Sequence, residues 1–491
     1  MGIKTGTQYI ESLRDGRKLY IDGKLITDVT DYGPMGGVIN TIATLYDDQH
    51  KSEFSELLTY QSPTTGERVS KTYLEAKNIE EFQALVGCYY ARAKRTYGMM
   101  GRLTDFMSAF VLDQVSSLRV MGKHDAAKRA LRVLERAREN DLQVTHALID
   151  PQSDRSKHDA PAEAVRVVGR RDGGIVVSGC RMLSTLAPVA NEVHVGPYFP
   201  RKPDEQDYAL AFQIPMNTPG LSILARGSFY RGESQFDRPL TSRFDEGDAI
   251  LMFENVFVPD DCIIVDGDVQ AYNGMLRTGV GYTQLQTCVR STMKLRFLTG
   301  LATQIAKANG RDKTPKFQAA IGELAGFVNV AEGVRLGALH DCVRRAQAFD
   351  AGKTEVIGDG VTEAKAQGLF GFAAVNFFFP FINTKAADVL RMAAGSGVLA
   401  MAEDDYLNPD VGPLMDRFLI GPDTNAKDRL RLMKMAWDMT GTEYGSRTGL
   451  YERLYSGDPE RNAQRWFAGP VTAECAELVQ ALVEETPGRS A

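Results

Sequence analysis

Arg102 and Phe106 stand four residues apart in a stretch with helical spacing, so their side chains leave one face a turn apart. An arginine so placed offers a permanent cation to any anion that lands beside it; its plain alternative is a solvated arginine on an amphipathic helix. His146 lies where the helical pattern gives way to short β-rich runs, and it is one of only six histidines. An imidazole can hold or accept a proton near neutral pH, although a lone histidine is as a rule a satisfied structural residue. Asp150-Pro-Gln152, Asp154, Arg155 and Thr185 follow in the β-rich part and supply donors and acceptors from loops, where turn and capping roles compete.

Other chemistries find no support. The histidines show no HExxH and the six cysteines no CxxC, so neither a transition-metal site nor a disulfide framework is indicated, and reduced, mostly buried thiols are expected. No GxGxxG follows a strand and no GxxxxGK[ST] occurs, which removes the usual dinucleotide and P-loop signatures. What remains is an organic cofactor held by another kind of fold.

The elements that would position these residues read as follows. Residues 70–142 carry helical spacing, with Met107 to Leu118 and Ala126 to Leu142 nearly free of breakers. Short β-rich runs then begin at Arg166, Gly174, Asn191, Tyr208, Ile250 and Val256, bounded by Gly, Pro and Asp. Helical stretches return from about Gly279: Met293 to Ala308, Phe317 to Ala348, Thr362 to Phe379 and Leu432 to Tyr444. The expected organisation is α+β in three parts: a mainly helical domain over 1–142, a central β-domain over 143–270 and a helical bundle over 271–491. The apolar run Asn376 to Phe381 reads as core, with an interface between copies of the chain as the alternative.

At 491 residues, 43% apolar and 24% charged, the chain has the profile of an ordinary globular protein. A formal charge of −6 without any basic cluster gives nucleic acid no foothold. Residues 1–15 lack a signal-peptide pattern and no segment reaches the roughly 20 apolar residues needed to span a bilayer, so a cytoplasmic protein without membrane contact is expected.

Seven segments, in order, resemble the 4-hydroxyphenylacetate 3-monooxygenase oxygenase-component family. They are Thr5-Gly-Thr-Gln-Tyr-Ile-Glu-Ser-Leu-Arg-Asp-Gly-Arg, Met99-Met-Gly-Arg-Leu-Thr-Asp-Phe, Thr145-His-Ala-Leu-Ile-Asp-Pro-Gln-Ser-Asp-Arg and Gly179-Cys-Arg-Met-Leu-Ser-Thr-Leu-Ala-Pro. Pro239-Leu-Thr-Ser-Arg-Phe-Asp-Glu-Gly-Asp-Ala, Phe253-Glu-Asn-Val-Phe-Val-Pro and Gly441-Thr-Glu-Tyr-Gly-Ser-Arg-x-x-Leu-Tyr-Glu-Arg complete the set. Ala394-Gly-Ser-Gly397 resembles the family's small-residue loop near the flavin.

The resemblance implies an acyl-CoA-dehydrogenase-like fold with a central β-barrel domain and a two-component, flavin-dependent monooxygenase. Such an enzyme takes reduced FAD (FADH2) from a separate NAD(P)H:flavin reductase. With O2 it forms a C4a-hydroperoxyflavin and hydroxylates a small phenolic or related aromatic substrate, free or carrier-bound. A homotetramer is the family's expected assembly.

It further implies that Arg102, His146 and Phe106 are catalytic. Arg102, His146, Gln152, Asp154, Arg155, Thr185, Gly395, Ser396 and Gly397 are the implied flavin-binding residues, and no metal is involved. A cation near a phenol favours the phenolate, and a histidine can hold its proton. Two positions depart from the family pattern: Phe106 stands where tyrosine is usual, and Asp150 where asparagine is usual. The Gly445-Ser-Arg447 and Tyr451-Glu-Arg453 group reads as structural or oligomer-forming.

The same fold also houses acyl-CoA dehydrogenases, which oxidise or rearrange an acyl substrate without oxygen insertion, and flavin/iron–sulfur dehydratases. Arg102 and Phe106 occupy the helix where the dehydratases would place cysteines.

Overall fold

The structure is a computed structural model that describes residues 2–154, 156, 162–275, 279–351 and 370–486. Three helices dominate the first part: α1 (Ile79–Arg95), α2 (Thr104–Val120) and α3 (His124–Glu139). Helix α1 is capped by Asn78, whose side chain accepts the Glu81 amide at 2.9 Å, and it places Glu80 and Glu81 first and Arg92, Lys94 and Arg95 last. Both choices suit the helix dipole. Helix α2 is buried on nearly every face, so it runs through the interior and does not lie on the surface.

The middle of the chain forms two sheets. One has the order β2-β1-β10-β11-β7-β6, built from β1 (Lys18–Ile21), β2 (Lys24–Ile26), β6 (Arg166–Arg171), β7 (Gly174–Thr185), β10 (Leu221–Ala225) and β11 (Asp248–Pro259). The other has the order β12-β9-β8-β5, from β5 (Val144–Ala147), β8 (Glu192–Val195), β9 (Leu210–Pro215) and β12 (Ile263–Asp266). A short pair, β3 (Thr59–Gln61) and β4 (Arg68–Ser70), stands apart.

The expected barrel does not close. A single bridge, Ile149 to Met182, and the Thr145 hydroxyl donated to the Thr185 carbonyl join the sheets where a continuous ladder would be needed. The runs at Ile250 and Val256 are one strand, β11, interrupted by a register shift between Phe253 and Val256. The N-terminal strand β1 pairs in parallel with β10, Lys18 opposite Ser222, so the first residues of the chain extend the central sheet.

Helices return as α4 (Tyr282–Ala308), α5 (Pro315–Asp350), α6 (Phe379–Ala394), α7 (Ala426–Thr440), α8 (Glu443–Leu454), α9 (Pro459–Phe467) and α10 (Pro470–Glu485). Of the expected helix from Thr362, residues 362–369 lie outside the described part. The amides that open α4 are capped from another helix: Asp113 of α2 accepts from Gly281, Tyr282 and Thr283 at 2.7, 3.1 and 2.8 Å. The expected helix from Leu432 to Tyr444 breaks at Gly441 and Thr442, where the Thr442 hydroxyl takes the Gly445 amide at 3.1 Å and starts α8. In the apolar run Phe379 is buried, whereas Phe377 and Phe381 are exposed, so the run is only partly core. Among the described residues no helix is long and apolar enough to cross a membrane.

Candidate active site

Arg102 sits just before α2, one residue ahead of the Leu103 cap, and Phe106 lies in the first turn. The guanidinium carbon of Arg102 is 4.1 Å from the centre of the Phe106 ring and 4.0 Å from that of Tyr455, which follows α8. Its Nη2 donates to the Tyr455 carbonyl at 3.1 Å. The cation is thus held between two aromatic faces, an arrangement favourable because each ring presents its negative face. No carboxylate pairs with Arg102 among the described residues. Gly101 permits this packing, because a Cβ there would come within 2.1 Å of the Tyr451 hydroxyl.

His146, on β5, meets the Phe106 ring edge to face with centres 6.2 Å apart. Phe106 in turn stacks on Phe110 at 6.0 Å, and Phe110 meets His194, the residue opposite His146 in the β5–β8 register, at 5.9 Å. Both ring nitrogens of His146 are buried without a hydrogen-bond partner among the described residues. Burial pushes its pKa well below the ordinary value, and the Arg102 cation adds to that effect, outweighing the opposing pull of Asp248. Burial likewise pushes His194 down to about 4. Both imidazoles are neutral at pH 7, so each carries one N–H donor and one acceptor nitrogen.

Arg447 on α8 supports the site from behind. It donates to Glu246 at 2.9 Å and to Asp248 at 2.7 and 3.1 Å. Glu246 takes the Gly101 amide at 3.0 Å, and Asp248 takes the Thr185 hydroxyl at 2.9 Å. Burial alone would raise the Asp248 pKa, but Arg447 and then Arg226 outweigh it and hold the carboxyl well below the usual range. The clamp ties α8, β11 and the start of α2 together. The Arg447 partners come from the β-domain, and Glu452 on the same helix pairs with Arg290 and Lys294 and not with a helix neighbour.

The structure brings Arg102, Phe106 and His146 into one cluster, while Thr185 is buried with its hydroxyl committed to Asp248. Gln152 and Asp154 are exposed on the loop after β5, where Asp154 caps the turn by accepting from Ser156. Arg155 lies outside the described residues. Gly395, Ser396 and Gly397 form the turn that ends α6; a Cβ on Gly395 would face Arg311 and one on Gly397 would face Met433, within the helical bundle. Asp150 is buried between two arginines, Arg181 and Arg201, the latter 2.6 Å away. Tyr455, Phe110, His194 and Glu246 escaped the sequence reading. Only the four-residue spacing of Tyr451 and Tyr455 hinted that two aromatic residues share a face.

Helices, two open sheets and helices again, with the Arg102 cluster where α2, β5 and the end of α8 meet, make this an α+β protein of mixed helices and sheets. The 4-hydroxyphenylacetate 3-hydroxylase N-terminal family matches residues 5–265 and its C-terminal family residues 276–484. The chain is 33% identical over 482 residues to a 4-hydroxyphenylacetate 3-monooxygenase oxygenase component of Geobacillus sp., covering 96% of this chain and 94% of that one. It is 31% identical to the protein of the same description from Thermus thermophilus, covering 98% of each. A crystal structure of the oxygenase component of 4-hydroxyphenylacetate 3-monooxygenase with FAD and 4-hydroxyphenylacetate superposes with a TM-score of 0.85 at 30% identity, covering 98% of both chains. The chain belongs to the 4-hydroxyphenylacetate 3-hydroxylase family.

Proposed function

We propose that this chain is the oxygenase component of a two-component flavin-dependent monooxygenase, using reduced FAD and O2 to hydroxylate a small phenol or related aromatic. The observation that carries the reading is the Arg102 cation, free of any described carboxylate and stacked between Phe106 and Tyr455, next to the neutral, unpartnered His146. These donors suit an electron-rich edge, whether of a phenolate or of a flavin, and Arg102 and His146 are the residues that would hold it. Reduced FAD, when bound, supplies with O2 the oxygen atom that is transferred.

The protein's own part is electrostatic and spatial. Arg102 stabilises the phenolate over the phenol, which enriches the ring carbon beside the oxygen. His146, being neutral, holds the phenol oxygen with its N–H or takes its proton on the other nitrogen. Phe106, Phe110 and Tyr455 give the aromatic ring faces and edges to pack on and keep water from the reacting centre. Phe106 offers no hydroxyl to the substrate oxygen, so recognition rests on Arg102 and His146.

The oxygenase draws its reduced flavin from a separate NAD(P)H:flavin reductase and works in the cytoplasm as a homo-oligomer, a tetramer. Exposed Phe381, Phe418, Leu478 and Leu482 on the C-terminal helices support assembly between copies. The test is direct: the purified chain is mixed with chemically reduced FAD, a phenol panel and air-saturated buffer, with no reductase present. A hydroxylated product from at least one phenol is expected; flavin oxidation to hydrogen peroxide alone, with every phenol, would refute the proposal.

A further inference from the structure

We infer that Tyr455 is a positioning residue that fixes the Arg102 cation against the substrate oxygen, with Thr287 as its anchor; this rests on the phenolate role of Arg102 above. Tyr455 engages Arg102 twice, through its ring face at 4.0 Å and its backbone carbonyl at 3.1 Å. Its hydroxyl lies 3.0 Å from the Thr287 hydroxyl on α4. The direction of that hydrogen bond follows from proton counting. Thr287 has one hydroxyl proton and donates it to the Thr283 carbonyl at 2.8 Å, so its oxygen must accept from Tyr455. Tyr455 therefore spends its only proton on α4 and has none for a substrate.

The second cation near Tyr455 differs in kind. Arg290 stands 5.0 Å from the ring, but both its terminal nitrogens are bound by Glu452. Burial raises the Glu452 pKa, yet Arg290 and Lys294 outweigh it and hold the carboxyl down at about 2, so the Arg290 charge is neutralised in place. Arg102 alone keeps its charge available. An aromatic pair and a carbonyl fix its direction without cancelling that charge, which an ion pair would do. Phe106 forms the other side of the stack from α2, while the C-terminal helices contribute Tyr455 at 4.0 Å and, more distantly, the Tyr451 ring at 5.7 Å.

The test uses 4-nitrophenol, whose ionisation is visible by absorbance, bound to the flavin-free chain. The pH of half-ionisation of the bound probe is measured for wild type, Arg102→Met, Tyr455→Leu, Tyr455→Phe and Thr287→Val. Wild type is expected to ionise the probe below its free value, and Tyr455→Leu to raise the midpoint by about one unit, a tenfold loss of phenolate preference. Tyr455→Phe and Thr287→Val, which keep the stack but free the ring, are expected to give smaller shifts of the same sign and to agree with each other. A midpoint that moves in Arg102→Met but in none of the Tyr455 and Thr287 variants overturns the inference alone. A midpoint unmoved by Arg102→Met overturns the phenolate reading and the inference with it.

Discussion

Arg447 and Gly101 are joined through one carboxylate: Glu246 accepts from the Arg447 guanidinium at 2.9 Å on one oxygen and from the Gly101 amide at 3.0 Å on the other. A contact between the C-terminal helices and the β-domain thereby sets the backbone that carries Arg102. Replacing Arg447 by methionine leaves a fully buried Glu246 without its cation and Asp248 with Arg226 alone. The expected cost is on the order of 3 kcal/mol, because a buried carboxylate loses its counter-charge and stays buried. Urea unfolding of Arg447→Met against wild type measures it; a loss under about 1 kcal/mol, the size of an exposed pair, would mean that the clamp is not a buried one.

Phe106 packs between Arg102 and His146 with no hydroxyl of its own, and the Tyr455 hydroxyl is committed to Thr287. Phe106→Tyr adds a hydroxyl donor beside Arg102 and His146, where neither Phe106 nor Tyr455 supplies one to the substrate. For a simple 4-hydroxyphenyl substrate the KM is expected to fall by about fivefold, the worth of one neutral hydrogen bond. Steady-state hydroxylation with a reductase supplied reads this out, and a KM that rises would place the 106 side chain out of reach of the phenol oxygen.

The two buried imidazoles make the fold sensitive to acid. For both, burial lowers the folded-state pKa, so the unfolded chain binds protons more readily. Each contribution is fully present above the unfolded value near 6.5 and is lost as pH falls below it, for His194 toward about 4. The loss is on the order of 3 kcal/mol for His194. Thermal melts of wild type and His194→Gln from pH 8 to pH 5 test the sign. The variant should lose less Tm than wild type across that range; parallel curves would show that His194 charges without penalty in the folded state.

Local signals in the sequence carried some parts of this structure and not others. Helical spacing put Phe106 in α2 but ran the helix too far, since Arg102 precedes the Leu103 cap; the change of period near residue 143 placed His146 at the junction, a property of neighbouring residues. The barrel was over-read: whether β5 and β7 join by a ladder or by the single Ile149–Met182 bridge depends on long-range register. Tyr455 and Glu246 stayed hidden for the same reason, being 353 and 144 residues from Arg102 along the chain. Asp150 read as a departure that changes the field or faces solvent; it does neither alone, since Arg181 and Arg201 enclose it.

Gly101 offers the sharpest test of the packing around the cation. A Cβ at 101 would lie 2.1 Å from the Tyr451 hydroxyl oxygen and 2.9 Å from the ring carbon that bears it. Tyr451 cannot simply swing away, since Arg447 stacks on its ring at 4.6 Å and Tyr455 meets it edge to face at 5.4 Å. Gly101→Ala should therefore push Tyr451 into Tyr455 and disturb the Arg102 stack. The expected destabilisation is about 1–3 kcal/mol, the usual cost of overpacking, with phenol affinity falling as well. Tyr451→Phe removes the nearest of the clashing atoms. The double variant Gly101→Ala/Tyr451→Phe should recover part of both losses in a double-mutant cycle. Strict additivity of the two substitutions would mean that the alanine acts through the backbone and not through Tyr451.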